Sequence, residues 1–247
     1  MAARRFVARA AIAVSIQGAA GVLALGCAPA KTAASAPEVL PQVPLPISPV
    51  PAARFCLTSG RVDRLGPFAM RVDAGGMRGV VPGALGSTAE LAFTYQGPST
   101  TTAPLADGTV RRQIGLRLRA QDTCNAIYVM WHIEPRSGIA VSVKHNPQQS
   151  THAECLARGY TLVRPTTATE REPVTVGVRR TLRADIEGRT LRVSTDGAVT
   201  WEGLLPLEAD AFSGPAGVRS DNGEFAFELR ASGGVPGPAP CAGVIRD

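Results

Sequence analysis

The chain has 247 residues, 45% of them hydrophobic, with 26 glycines, 20 prolines and a formal net charge of +6. That length suffices for one sizeable core, and all-β domains of about 200 residues commonly stand as single units. Every basic residue except Lys31 and Lys144 is arginine, and the arginines are interspersed with acidic residues, so the charge carries no nucleic-acid or polyanion signature.

The first 27 residues read as a leader rather than as fold. Arg4, Arg5 and Arg9 form a positive start, and Ala10–Leu25 is an apolar run interrupted by Ser15 and Gln17. At about 16 residues the run is shorter than the ~20 a membrane-spanning helix needs, which is the pattern of a signal peptide. It ends in Leu23-Ala24-Leu25-Gly26-Cys27, which resembles the bacterial lipobox, although Ala24 stands where leucine is commonest. That resemblance implies acylation of Cys27, export, and a lipid anchor at the bacterial cell envelope. Removing the leader takes away three arginines and halves the net charge.

Ala28–Ala53 carries seven prolines and almost no charge. At that proline density a chain stays extended, at about 3 Å per residue, and acts as a tether. A folded domain is expected from Arg54 to Ala231, followed by a Gly/Pro-rich tail over residues 232–247.

Within the domain the apolar pattern has period two. Strands are expected at Phe55–Leu57, Phe68–Val72, Glu90–Gln96, Ile114–Arg119, Ala126–Ile133, Gly138–Val143 and Val174–Val178. The clearest pattern follows: Leu182–Glu187, Arg189–Thr195 and Ala198–Trp201, joined at Glu187-Gly188 and Asp196-Gly197, then Glu224–Leu229 after a Gly/Pro loop. Asp-Gly between alternating runs is a strong hairpin signal, because both central residues of a type I′ turn need positive φ. The helical candidates are two short segments, Ser150–Ala157 and Leu207–Phe212. The sum is an all-β chain folded as an antiparallel β-sandwich.

Five cysteines are present. Assigning Cys27 to lipid leaves Cys56, Cys124, Cys155 and Cys241, an even set with three possible pairings in an oxidising compartment. Cys124 and Cys155 lie 31 apart within the domain, while Cys56 and Cys241 bracket it. Sandwiches often bring their termini together, so Cys124–Cys155 and Cys56–Cys241 are the expected pairs.

The order of Arg183, Ile186, Gly188, Leu191, Val193, Asp196 and Gly197, then Gly214, Gly217, Val218, Arg219 and Asn222, resembles the concanavalin A-like lectin/glucanase jelly roll in its laminin-G-like form. The likeness covers about 50 residues closely and implies a fold more than an activity. In this fold carbohydrate ligands sit on the face of the larger sheet. Loops such as Asp221-Asn222-Gly223 bind calcium in some members, although here a turn permitting left-handed backbone is the simpler reading.

The strand Ala126–Glu134 divides into a core set, Ile127, Val129, Trp131 and Ile133, and an opposite set, Tyr128, Met130, His132 and Glu134. With Arg117, Arg119 and Lys144 from neighbouring strands, the residues Tyr128, His132 and Glu134 are expected to form a surface patch. Such a patch suits polar or anionic glycans through Arg contacts and aromatic packing. His132, His145 and His152 show no metal-ligand spacing. The Glu-x-Asp-x-x-Glu pattern of glycosidases of this fold is missing, as are Gly-x-Ser-x-Gly and a phosphate loop. The expected function is therefore non-catalytic binding of a glycan or an envelope protein, without a cofactor. The rival is a polysaccharide-acting hydrolase or lyase, in which His132 and Tyr128 would supply the base and its partner.

Overall fold

The computed structural model describes residues 46–105, 107–170, 172–233 and 241. The leader, Cys27 and residues 28–45 of the expected tether lie outside them. Fourteen strands run through the described residues. They are β1 (Ile47–Pro49), β2 (Cys56–Ser59), β3 (Asp63–Arg64), β4 (Ala69–Val80), β5 (Thr88–Pro98), β6 (Arg112–Leu118) and β7 (Ala126–Glu134). Then follow β8 (Gly138–Lys144), β9 (Tyr160–Val163), β10 (Pro165–Ala168), β11 (Arg179–Glu187), β12 (Thr190–Thr195), β13 (Ala198–Leu204) and β14 (Gly217–Ser232). All pair antiparallel.

Two long strands serve both layers of the sandwich. Gly217–Asp221 of β14 lies between β4 and β6, whereas Gly223–Glu228 lies between β4 and β5. The front layer is therefore β2, the end of β4, the start of β14, then β6, β7, β8 and β9. The back layer runs β10, β13, β12, β11, β5, the end of β14 and the start of β4. The switch falls at Asn222, whose φ of +57° breaks the alternation inside the strand. Its side chain donates to Ala103 O and Arg111 O and accepts from Ala103 N, which ties the preceding loop to the bend.

The period-two pattern fixes which faces meet. Leu182, Ala184, Ile186, Leu191, Val193 and Trp201 of the back layer are buried with Ile114, Leu116, Ile127, Val129, Trp131, Val141 and Val143 of the front. Phe93 bridges the layers, edge-on to Trp131 at 5.7 Å and to Phe225 at 6.1 Å. The Arg180 guanidinium covers the Trp131 ring at 5.0 Å. A large apolar side chain contributes about 1.5–3 kcal/mol when fully buried. A slip of one residue would turn a whole row to solvent, so the register is strongly specified. Asp196 and Gly197 hold φ of +50° and +81°, the type I′ turn expected between β12 and β13. Both expected disulfides are formed, Cys56–Cys241 and Cys124–Cys155. The two helical candidates appear as single turns, His152–Cys155 and Leu207–Asp210.

Five expectations change. The fold starts before Arg54: β1 pairs with Arg230–Ser232, and Val50 and Ala52 are fully buried. Pro49 is tolerated there because an edge strand needs no donor at that position. The fold also extends past Ala231, since Ser232 ends β14 and Cys241 is disulfide-bonded. The strand expected at Phe68–Val72 begins at Ala69 and is the first part of the twelve-residue β4, which continues through Gly75-Gly76 instead of turning there. Asp221-Asn222-Gly223 likewise lies within β14, and Val174–Val178 is not a strand.

Candidate functional site

The front layer has a second face, turned away from the core, and its strand register arranges that face in rows. In the first row Arg117 sits between Gly217 and Tyr128, followed by Ser142 and Leu162. The second row reads Arg78, Arg219, Gly115, Met130, Ala140. The third reads Gly76, Asp221, Gln113, His132, Gly138. At the opposite end Lys144 pairs with Tyr160. Gly115 has to be glycine, because a Cβ there would lie 2.1 Å from Val129 O.

Arg117, Tyr128, His132 and Lys144 of the expected patch share this face, but three of them are not on the surface. Tyr128, Arg117 and Lys144 are 2%, 1% and 2% exposed. The outer face has a small core of its own, in which Cys56, Val80, Ala120, Ala126, Tyr128 and Met130 pack together with Cys241. Lys144 Nζ donates to Thr123 O and Leu156 O and lies 3.1 Å from Cys155 Sγ, so it braces the Cys124–Cys155 loop. Glu134 stands at the end of the face, ion-paired with Arg112. Arg119 leaves the patch altogether. Its φ of +44° turns the backbone where β6 ends, and its guanidinium ties to Ala209 O, Gly188 O and Asp210.

Tyr128 is the centre of a cationic cluster that residue types alone did not reveal. Arg219 Cζ lies 5.3 Å and Arg117 Cζ 5.9 Å from its ring centre. Tyr160 lies tilted beside it, ring centres 5.9 Å apart, with Lys144 Nζ 5.3 Å from the Tyr160 ring. Asp221 answers this charge. It accepts from Arg219 Nε at 2.8 Å, Arg219 Nη2 at 3.3 Å and Gln113 Nε2 at 2.6 Å. Arg219 Nη1 also approaches the Tyr160 hydroxyl at 3.5 Å. Arg117 donates to Thr58 Oγ1 and Asp122 O, but its Nε and Gln113 Oε1 are buried without hydrogen-bond partners among the described residues.

The electrostatics follow from these neighbours. Burial alone would raise the Tyr128 phenol, yet Arg117, Arg219, Arg78 and Lys144 together pull it below the ordinary tyrosine value. Tyr160 is raised, by burial first and then by Tyr128. Burial opposes the Arg219 charge, but Asp221 and the two phenols hold it more firmly protonated than usual. His132 is lowered to about 4 by burial, then by Arg111 and Arg219, against the opposing pull of Asp221, so it is a neutral imidazole at neutral pH.

The face opens along β8 and β9. Ala140 and Ser142 are half-buried and Gly138 is exposed, leaving a low strip of small residues. Leu162 and Tyr160, 69% and 43% exposed, stand on one side, with partly exposed His132 on the other. Chemically this is an aromatic surface with a hydroxyl, a neutral imidazole and guanidinium groups within one patch.

The geometry also bears on the rival roles. Tyr128 and His132 leave β7 four residues apart, about 13 Å along a strand, so they do not converge on one atom. Asp221 is held by Arg219 and Gln113, and the Asn222 side-chain oxygen accepts from Ala103 N, which leaves that pair poorly placed to coordinate calcium. No group of three or more His, Cys, Asp or Glu side chains among the described residues is arranged to hold a metal ion. Glu154 caps its helical turn through Ser150 N and Thr151 N, and His145 stacks on Phe212.

Arg78, Gln113 and Tyr160 escaped the sequence reading, and Arg219 and Asp221 were named there without being placed on this face. For Arg219 and Asp221 a signal existed: they lie two apart in a segment that alternates, Val218 and Ser220 filling the other positions, but the segment reads as a turn because of Asn222-Gly223.

No family model matches the chain, and no curated protein does. Solved structures do. The carbohydrate-binding module CBM66 from Bacillus subtilis superposes with a TM-score of 0.50 at 15% identity, over 72% of this chain and 96% of that one. The Emp46p carbohydrate recognition domain gives 0.44 at 10% identity, over 74% and 89%. The Crh5 transglycosylase in complex with NAG gives 0.41 at 14% identity, over 78% and 85%.

Proposed function

We propose that this chain is a non-catalytic glycan-binding module, held at a bacterial cell envelope by a lipid on Cys27. The observation that carries the binding role is the open strip of Gly138, Ala140 and Ser142, flanked by Tyr160 and Leu162 on one side and by His132 on the other. Small residues leave room for a sugar ring, and an exposed aromatic offers a face on which its C–H groups pack. The sandwich shared with the CBM66 module is consistent with this reading but speaks to fold alone. An envelope protein is the second ligand class. A polysaccharide hydrolase or lyase is disfavoured, because Glu134 is paired with Arg112, Asp221 is buried under Arg219, and Tyr128 stands far along the strand from His132.

A glycan array tests this directly. Wild-type protein should bind at least one saccharide family, and Tyr160→Ala and Ser142→Trp should each reduce binding at least tenfold while both remain folded. A protein that binds no saccharide but captures one envelope protein tightly would overturn the glycan role. For the anchor, metabolic palmitate labelling of wild type and its loss in Cys27→Ala is the expected pair of results; equal labelling would refute acylation at Cys27.

A further inference from the structure

We propose that the end of the sandwich at which the chain enters the fold rests on a lipid surface through Leu65, Phe68 and Leu85; this builds on the anchoring at Cys27 proposed above. Strand pairing brings these residues to one end. Along one edge of β14, β4 begins at Ala69 opposite Glu228, and from Arg230 to Ser232 β1 takes its place. The turn between β3 and β4, residues 65–68, is closed by Leu65 N and Gly66 N donating to Ala69 O. It is held to the entering chain by Ala52 N, which donates to Pro67 O at 2.7 Å. Leu85 N donates to Ser232 O, and Ser232 is the residue paired with Ile47, so Leu85 borders the same entry.

Leu65, Phe68 and Leu85 are 56%, 44% and 50% exposed. A lone exposed leucine needs no explanation, but several gathered at one end mark an interaction surface. Exposed Leu204 and Leu207 extend it across the back layer: Thr190 pairs with both Leu204 and Glu187, and the neighbouring Ile186 N donates to Ser87 O, two residues after Leu85. What covers this end follows from the chain that leads into it. Cys27 lies 19 residues before Pro46, the first described residue, a span of at most about 60 Å when extended. A lipid on Cys27 keeps a bilayer within reach of this end without the chain having to pass around the domain. Tethering makes the second contact intramolecular, at an effective concentration on the order of millimolar, so a shallow apolar seat suffices. The exposed charges nearby are of both signs, Arg61 with Asp63, then Arg64, Glu187 and Glu208. The contact is therefore apolar in origin and needs no anionic headgroup.

Phe68→Trp turns the turn into a reporter. The full chain carrying it is recovered from cells in detergent and reconstituted into phosphatidylcholine vesicles with plain or brominated acyl chains. The added indole should lose half or more of its emission on bromination, whereas wild type, whose Trp131 and Trp201 are buried, should lose little. Adding Leu65→Ser and Leu85→Ser to the reporter chain should abolish most of that quenching at an unchanged Tm. Salt should alter neither result, and quenching seen only with phosphatidylglycerol would overturn the apolar origin. Palmitate labelling of the same samples separates the contact from the anchor. A labelled chain whose indole is not quenched would overturn the contact and leave the anchor standing, including where a blue shift shows that a second copy or residues 234–240 of the tail cover the patch instead. An unlabelled, unquenched chain would overturn both, and quenching of an unlabelled chain would uphold the contact without the anchor.

Discussion

Replacing Asp221 with asparagine should cost this fold more than any other conservative polar change. The side chain is 2% exposed and keeps its shape in the substitution, so cavity formation contributes little. What is lost is the charge that faces Arg219, itself 8% exposed and bonded to Asp221 at 2.8 and 3.3 Å. Arg117, Arg78 and Lys144 add positive charge around the same ring pair, which makes the loss of a carboxylate there costlier. Removing one partner of a buried ion pair costs about 3–5 kcal/mol, because the other charge stays buried and unpaired. For a domain of this size each kcal/mol moves Tm by about 2–4 °C. Asp221→Asn should therefore melt about 6–20 °C lower, read by urea and thermal unfolding with the fluorescence of buried Trp131 and Trp201. A double change, Asp221→Asn with Arg219→Met, should recover much of the loss, since an apolar replacement of both partners is often close to neutral. A single-variant loss below 1 kcal/mol would refute the reasoning, and so would a double variant less stable than the single one.

Three further outcomes are expected. His132 holds its folded-state pKa near 4 against an unfolded 6.5, so the unfolded chain takes up a proton first as pH falls; its contribution is complete above pH 6.5 and is lost on the way down to pH 4, by about 2–3 kcal/mol. Stability measured across that window should be flatter in His132→Gln, and an unchanged slope would refute the burial argument. Cys56→Ala opens a loop of 185 residues, worth up to about 5 kcal/mol in the loop-entropy model, and Cys124→Ala opens one of 31, worth up to about 4; denaturant midpoints should fall in both, and an unchanged midpoint in either would contradict its structural role. Gly197→Ala forces a Cβ onto a φ of +81° in the β12–β13 turn and should cost about 1 kcal/mol in the same assay, with a neutral result showing that the turn relaxes.

The layers were legible because burial on one face writes period two into the chain. Leu182, Ala184 and Ile186, or Ile127, Val129 and Trp131, needed no other information. The pairing of the cysteines was legible from their spacing. The two strands shared between layers were not, since Gly75-Gly76 in β4 and Asn222-Gly223 in β14 carry turn chemistry yet sit where long strands bend. That error also hid Arg219 and Asp221, which belong to a face only if the segment is a strand. The opposite face of β7 was placed correctly but its burial was not: Tyr128 is covered by residues from β2, β4 and the far end of the chain, and contacts of that sequence separation leave no periodic trace. Arg119 illustrates a third limit, a single positive φ that moved a side chain out of its row.

The most direct measurement is a map of backbone amide shifts of the isotope-labelled protein titrated with its tightest-binding oligosaccharide. Saturable shifts confined to β7, β8 and β9 are the expected result. Shifts confined to the back layer, around β10 to β13, would contradict the assignment of the binding face.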